Sequence, residues 1–197
     1  MSIETLLICG SMKPAPGLTK SSAAREVLKV IKKCFTDVGY ENYHTLDLRE
    51  LNLPYFDGRS AEEYMHEGVN QLFNDFLEAK TIVVSAPAYW RNVAGGLINA
   101  LNLIGGPLYD FPEKANFLKG KEIFLITVGA SYVDSVYAST QLKSTFSSMG
   151  ANISQKEIII GNIREMDVNN QRKLSFDLYN LGKDILKFNE EIKGRVQ

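Results

Sequence analysis

The sequence has few cysteines and no long apolar run. Cys9 and Cys34 are the only cysteines among 197 residues, too few for a disulfide framework or a clustered-cysteine metal or iron-sulfur site. No apolar run approaches the roughly 20 residues that a membrane-spanning helix needs. We therefore expect two buried, reduced thiols, no metal site and no membrane association.

An excess of charge of one sign is also missing. The chain has 22 basic and 23 acidic residues, and the basic ones are spread along it instead of forming a stripe that could follow a phosphate backbone. Nucleic acid is therefore a poor candidate partner. The first residues, MSIETLLICGS, lack the basic start and the apolar length of a secretory signal, so we expect a cytoplasmic location.

Strand and helix signals alternate along the chain, without an internal repeat or a linker to mark a boundary. We predict one domain over residues 1–197. Apolar runs predict strands at residues 5–9, 40–46, 81–86, 123–128 and 153–160. Helical spacing predicts helices that start after Ser21 or Ser22 and end at Gly39, that include 69–77, that span about 94–104 and 135–149, and that include 174–185.

Strands that alternate with helices require right-handed crossovers, and therefore a mostly parallel sheet covered on both faces. The order of the strands is not readable from this alternation. In such sheets, ligands bind beyond the carboxyl ends of the strands where the winding reverses. The loops after the first, third and fourth strands are accordingly where we expect the chemistry.

The loop after the first strand, residues 10–22, is rich in hydroxyls and has no carboxylate. It carries Lys13 and the hydroxyl groups of Ser11, Thr19, Ser21 and Ser22 just before a helix. Free N–H groups and the helix dipole favour an anion there. The loop lacks GxxxxGK[ST] and GxGxxG, which favours a single terminal phosphate over a pyrophosphate. The alternative is ordinary capping of a helix by serine or threonine.

The loops after the third and fourth strands combine aromatic with small residues. Pro87 ends a strand, Tyr89 and Trp90 follow at its tip, and the small Ala94, Gly95 and Gly96 begin the next helix. A planar ring system would fit against such a surface, whereas the alternative is a pair of loop aromatics that cap the core. The fourth strand is followed by small residues suited to close approach of a ligand edge, namely Gly129, Ala130 and Ser131.

With these residues in view, the sequence resembles the NADPH-dependent FMN reductase family over nearly the whole chain. Pro87-Ala88-Tyr89, followed after five residues by Gly95-Gly96-Leu97-Ile98-Asn99-Ala100-Leu101-Asn102, resembles the family pattern P-x-Y…G-x-L-K-N-x-L-D. The segment Leu53-Pro54-Tyr55-Phe56-Asp57 resembles its L-P-x-x-D segment. Gly10-Ser11-x-Lys13 with Thr19-x-Ser21 resembles its phosphate loop, although Lys13 replaces the usual arginine.

The resemblance implies an α/β, three-layer flavodoxin-like fold with a five-stranded parallel sheet in the order 2-1-3-4-5. It also implies FMN as cofactor and NADPH or NADH as co-substrate. The implied phosphate contacts are Ser11, Lys13, Thr19, Ser21 and Ser22. The implied ring contacts are Pro87, Ala88, Tyr89, Trp90, Arg91 and Asn92, with Gly129, Ala130 and Ser131 along the pyrimidine edge. Family members usually form homodimers or homotetramers.

The activity that the resemblance implies is hydride transfer from NADPH through FMN to a small acceptor, such as a flavin, a quinone or an azo compound, by a ping-pong mechanism. No catalytic side chain is required, because the flavin carries the chemistry. Arg91 is a candidate contact to the nucleotide phosphate or to an anionic acceptor, and its alternative is a solvated loop arginine. We expect His44 and His66 to be surface or packing residues.

Two other classes of protein are weighed against the reductase. A flavodoxin-type electron carrier would bind the same FMN without direct reaction with NADPH, but such carriers are usually strongly acidic, and the net charge here is −1. A receiver-like module of similar fold would need clustered acidic residues after the first strand, and residues 10–22 contain none.

Overall fold

A computed structural model describes residues 3–13, 22–106, 108 and 116–196. The strands are β1 (Thr5–Cys9), β2 (Tyr43–Asp47), β3 (Thr81–Tyr89), β4 (Asn92–Val93), β5 (Glu122–Gly129), β6 (Asn152–Ile153) and β7 (Ile158–Gly161). The α-helices are α1 (Ala23–Asp37), α2 (Glu67–Glu78), α3 (Gly95–Gly105), α4 (Tyr132–Ser148) and α5 (Val168–Val196), and a 3₁₀ turn (Ala61–Tyr64) precedes α2.

The sheet has the strand order β2-β1-β3-β5-β6, and β7 also pairs with β5. All of these pairs are parallel. Because β6 and β7 lie in line along the same side of β5, they occupy one strand position. The predicted flavodoxin-like fold and its order 2-1-3-4-5 are confirmed.

Several elements differ from the sequence-based expectation. β3 continues to Tyr89 instead of ending at residue 86, and α4 spans Tyr132–Ser148 instead of about 135–149. The predicted strand 153–160 is divided into β6 and β7, because the polar residues between them form a turn in which Ser154 Oγ accepts from the Lys156 N–H at 3.2 Å. The second strand begins at Tyr43 instead of residue 40, since the Tyr40 N–H still donates to the carbonyl of Phe35 at the end of α1. β4 is an additional strand, antiparallel to β3.

Both faces of the sheet are covered by helices, and side chains alternate between two hydrophobic cores as the period of a strand requires. In β1, Leu6 and Ile8 face one core and Leu7 and Cys9 the other. The first core is completed by Leu72 and Phe76 of α2, Leu97 and Leu101 of α3, and Leu142 and Phe146 of α4. The second is completed by Val27, Leu28, Ile31 and Phe35 of α1 and by Leu178, Leu181 and Ile185 of α5.

Because these strands are parallel, their carboxyl ends meet along one edge of the sheet. Within the described ranges, no helix combines the length and the apolar character needed to cross a bilayer.

Candidate functional site

A pocket of about 250 Å³ opens at the carboxyl ends of β1, β3, β5 and β7. The chain winds outward from β1 to β2 and then returns to β3 on the other side of β1, so the pocket lies at the reversal of winding where α/β sheets bind ligands. Its lining residues are Ser11, Lys13, Ser22, Ala23, Ala24, Pro87, Ala88, Tyr89, Val128, Gly129, Ala130, Asn162, Ile163, Arg164 and Glu165.

One end of the pocket is formed by the β1–α1 loop and the first turn of α1. Ser11 is buried, and its hydroxyl accepts from the N–H of Lys13 at 3.3 Å. Lys13, whose side chain carries a positive charge, lines the same wall. Two further hydroxyl residues predicted for this loop, Thr19 and Ser21, lie outside the described residues.

Ser22 occupies the N-cap position of α1 and is almost fully buried. Its backbone is extended, as the cap position requires, yet in the described part of the chain its side chain makes no capping hydrogen bond. The described contacts therefore give the Ser22 side chain no capping role. Ala23 and Ala24 follow it on the pocket wall, and first-turn N–H groups have no acceptor within their own helix.

The opposite wall follows from β3, where Pro87, Ala88 and Tyr89 line the pocket. β3 turns back into β4 through a tight hairpin, in which Ala88 is opposite Val93 and Tyr89 is opposite Asn92. The carbonyl of Pro87 accepts from the N–H of Ala94 at 3.0 Å, which closes this hairpin onto the start of α3.

The two turn residues of the hairpin, Trp90 and Arg91, have φ angles of 52° and 64°. A two-residue hairpin turn with both φ angles positive favours Asn-Gly, because other side chains are strained there. The Trp90 side chain is 91% exposed, so it gains no packing that would offset this strain.

Trp90, Arg91 and Asn92 lie beyond the described lining of the pocket. The Arg91 N–H donates to Asp134 Oδ1 at 3.1 Å, and its guanidinium lies 5.4 Å from the centroid of the Tyr137 ring. Asn92 Nδ2 donates to the Trp90 carbonyl at 2.8 Å. This hairpin is thus fastened to α4 at the side of the pocket.

The β5–α4 loop forms the third wall with Gly129 and Ala130. Ser131 is the N-cap of α4: its hydroxyl accepts from the Asp134 N–H at 3.1 Å and lies outside the described lining. A Cβ on Gly129 would lie 2.8 Å from Ser135 Oγ, so the tight packing of α4 is by itself sufficient to require glycine there.

A fourth loop, not predicted as part of the site, follows β7 and contributes Asn162, Ile163, Arg164 and Glu165. Asn162 has a φ of 52°, and its N–H donates to the Gly129 carbonyl at 3.2 Å. The sequence could have indicated this loop, because Gly161-Asn162 stands at the end of an apolar strand. All parallel strands have their carboxyl ends at the same edge of the sheet, so the loop after this strand also lies at that edge.

The remaining sequence features have structural roles. A Cβ on Gly96 would lie 2.5 Å from Met12 Cγ, so this glycine makes room for the β1–α1 loop, whereas a Cβ on Gly95 would meet no described atom within 4 Å. His44 Nδ1 is 3.1 Å from Asp75 Oδ2, and His66 accepts from the Gly68 N–H at the start of α2. His44 thus pairs with Asp75, and His66 is the N-cap of α2.

The chemistry of the pocket suits FMN. Hydroxyl groups, an ammonium group and a helix N-terminus gather at one end, as a phosphate requires, and flat or small side chains form the walls of the other. Ser11 and Ser22 are buried and line this end of the pocket, so a polar ligand group suits it better than an apolar one. The residues present therefore fit a phosphorylated planar ligand.

Together, the doubly wound sheet and this pocket define a flavodoxin-like protein of the mononucleotide-binding class. The family model of the NADPH-dependent FMN reductases matches residues 3–165, and the chain belongs to that family. It is accordingly an NAD(P)H-dependent FMN oxidoreductase, with FMN as cofactor and NAD(P)H as electron donor.

Solved structures share the fold at low identity. An oxidoreductase from Corynebacterium diphtheriae is similar with a TM-score of 0.69 and 14% identity over 97% of this chain and 99% of that one. The NAD(P)H:(acceptor) oxidoreductase FerB from Paracoccus denitrificans is similar with a TM-score of 0.69 and 18% identity over 95% and 97%. An FMN-dependent NADH-azoreductase from Bacillus anthracis, in complex with FMN, is similar with a TM-score of 0.61 and 16% identity over 96% and 99%. No curated protein sequence matches the chain.

Proposed function

We propose that the pocket holds FMN and that the protein passes electrons from NADPH or NADH to a small acceptor such as a flavin, a quinone or an azo compound. The observation that supports this proposal is the composition of the pocket. Residues that can bind a phosphate line one end of it, and small or flat residues line the rest, all at one edge of the sheet. In this proposal Ser11, Lys13 and Ser22 hold the phosphate. Pro87, Ala88 and Tyr89 hold one side of the ring, and Gly129 and Ala130 hold its edge.

The phosphate end depends on the first turn of α1. Ser22 lines the pocket, and in the described part of the chain its hydroxyl makes no capping hydrogen bond. The N-terminal end of the helix dipole adds partial positive charge. Lys13 supplies a full positive charge, although as a point charge without the fork of an arginine. Thr19 and Ser21 stay predicted contacts.

FMN bound in this pocket supplies the two-electron chemistry, so the side chains need only place and shield the reactants. Tyr89 is about half exposed at the rim and would limit the access of water to the ring. We propose that donor and acceptor occupy the same open face in turn, which gives ping-pong kinetics. One of the similar structures is an NAD(P)H:(acceptor) oxidoreductase and another an NADH-azoreductase, which supports this class of acceptor.

Arg91 is proposed as a contact to the nucleotide phosphate or to an anionic acceptor. Its guanidinium lies on the exposed Tyr137 ring beside the pocket, where a long ligand would pass. Arg91→Ala should raise the KM for NADPH or for an anionic acceptor. If the KM values for both stay unchanged, Arg91 is a solvated loop residue and contacts neither ligand. Trp90, Asn92 and Ser131 stay predicted contacts of the ring.

We further propose one domain over residues 1–197, a homodimer or homotetramer, and a cytoplasmic location. Both thiols are buried and unpaired with each other, which suits a reducing compartment. Light scattering on the purified protein tests the oligomer: a mass of two or four chains is expected, and a mass of one chain of 22.0 kDa contradicts it.

The FMN-loaded protein tests the function when it is mixed with NADPH in the absence of oxygen. Loss of the yellow colour, followed by its return when a quinone is added, is expected, and parallel double-reciprocal plots would support the ping-pong order. Yellow protein that NADPH does not bleach would indicate a flavodoxin-type carrier. Protein that stays colourless in excess FMN would reject both functions.

A further inference from the structure

Three consecutive main-chain carbonyls of the β1–α1 loop accept hydrogen bonds from arginine side chains. Arg25 Nη2 donates to the Ser11 carbonyl at 3.1 Å and Arg25 Nη1 to the Lys13 carbonyl at 2.7 Å. Arg49 Nη1 donates to the intervening Met12 carbonyl at 2.6 Å. Two guanidinium groups from different elements therefore fix the orientation of three successive peptides.

The carboxylate of Asp47, at the end of β2, holds this arrangement in place. It forms an ion pair with Arg25 Nε, accepts from Arg25 Nη2 at 3.1 Å, and accepts from the Arg49 N–H at 3.2 Å. The side chains of Arg25 and Asp47 are 16% and 15% exposed. The hydrogen bond to Asp47 raises the pKa of Arg25, so the guanidinium stays charged.

The orientation of these peptides matters because carbonyl oxygens repel an anion and N–H groups attract it. Ser11 and Lys13 line the pocket at the end where the phosphate is proposed. Carbonyls bound to Arg25 and Arg49 are held by those cations and cannot turn toward the phosphate. The same segment can then offer the anion the hydroxyl of Ser11 and the ammonium group of Lys13.

We propose that Arg25 and Arg49 are positioning residues for the flavin phosphate, acting through the carbonyls of residues 11–13. This inference rests on the proposed function. Neither arginine needs to touch the ligand in this arrangement, because each acts through the carbonyls it binds. The effect should therefore depend on whether the flavin carries a phosphate.

Flavin affinity, measured on apoprotein by quenching of flavin fluorescence, separates positioning from general stability. Arg49 is exposed, so Arg49→Ala is expected to fold, and Arg25→Lys keeps the charge but loses the fork. Both variants should lower the affinity for FMN about tenfold, which corresponds to one lost charge-assisted hydrogen bond. The affinity for riboflavin should change less than about twofold. Arg59→Ala, an exposed arginine paired with Asp57 outside the described lining, is the matched control and should change neither.

The outcomes are distinct. If Arg49→Ala and Arg25→Lys keep the wild-type ratio of FMN to riboflavin affinity, the inference is wrong. If they weaken both flavins equally, the arginines support the loop in general and the inference is again wrong. If the wild-type protein binds neither flavin, the proposed function itself fails, and if it binds both equally, the phosphate site fails while the ring site stands.

Discussion

Asn99 binds the main chain of Phe56, accepting from its N–H at 2.9 Å through Oδ1. The other end of the same amide donates to the Pro54 carbonyl at 2.8 Å. Asn99 of α3 thereby fastens the Leu53-Pro54-Tyr55-Phe56-Asp57 segment to the helix that follows the pocket wall, and two of the family-like motifs are physically joined.

Asn99→Ala should lower the free energy of unfolding by about 1–3 kcal/mol, because it leaves a partly buried N–H and carbonyl without their partner. Urea denaturation measures the change. Asn102→Ala, at an exposed position of the same helix, is the matched control and should stay within about 0.5 kcal/mol of wild type. Equal effects of the two substitutions would show that the amide of Asn99 does not join the motifs.

Gly161 ends β7 directly against the first residue of α4. A Cβ there would lie 2.2 Å from the main-chain nitrogen of Tyr132, and that backbone cannot move aside cheaply. Gly161→Ala should therefore destabilise the fold by about 3 kcal/mol. Gly194→Ala, with no described atom within 4 Å of the added Cβ, should be neutral or slightly stabilising. Thermal melts of the two variants that coincide would contradict this packing.

Thr127 of β5 is fully buried, and its hydroxyl finds no hydrogen-bond partner among the described residues. Thr127→Val keeps the shape and removes the unsatisfied group, so the free energy of unfolding should be unchanged or raised by about 1 kcal/mol.

Ser135→Ala provides the contrast, because the buried Ser135 hydroxyl donates to the Ile160 carbonyl at 2.6 Å. It should cost about 1–2 kcal/mol. Denaturant titration of both variants decides the matter, and a clear loss of stability in Thr127→Val would mean that this hydroxyl is hydrogen-bonded.

Asp75 gives the stability a dependence on pH. Burial raises the pKa of its carboxyl. The charge of His44 and its hydrogen bond to Asp75 lower that pKa, but they offset the effect of burial only in part. Folded Asp75 keeps its proton above pH ~3.9, the ordinary pKa of an unfolded aspartate, so folding takes up a proton between that pH and the raised pKa. Stability from this group is therefore lost as the pH rises through that window.

Asp75→Asn should remove that loss. Relative to wild type, the variant is expected to gain stability as the pH rises from about 4 to 7, as measured by the midpoint of urea unfolding at each pH. A difference between the two proteins that stays constant over this range would be inconsistent with a raised pKa of Asp75.

Much of the fold was predictable because burial on both faces leaves a strong signal. The apolar residues of β1 stop at Gly10, and the strand was predicted with its observed bounds. The fifth strand position was harder, since the break between β6 and β7 depends on a turn at Ser154 that interrupts an otherwise strand-like pattern. The short β4 was not predictable from periodicity, because two residues carry none.

Site residues could be predicted where they lie next to the end of a predicted strand. They could not be predicted where loops distant in sequence come together. Four predicted residues lie on the pocket wall because of their place at these ends: Ser11 and Lys13 in the loop after β1, Ser22 at the N-cap of α1 and Tyr89 at the end of β3. The hairpin turn at Trp90 and Arg91 directs those residues away from the described wall, and no local pattern indicates this. Residues 162–165 join the pocket only through the pairing of β7 with β5, which depends on the tertiary fold.

The most direct measurement is a crystal structure of the protein grown with FMN. The account predicts electron density for the phosphate beside Ser11 and Ser22 and for the ring beside Pro87, Ala88 and Tyr89. An empty pocket in crystals that hold FMN elsewhere, or a ring bound with its phosphate away from the start of α1, would contradict it.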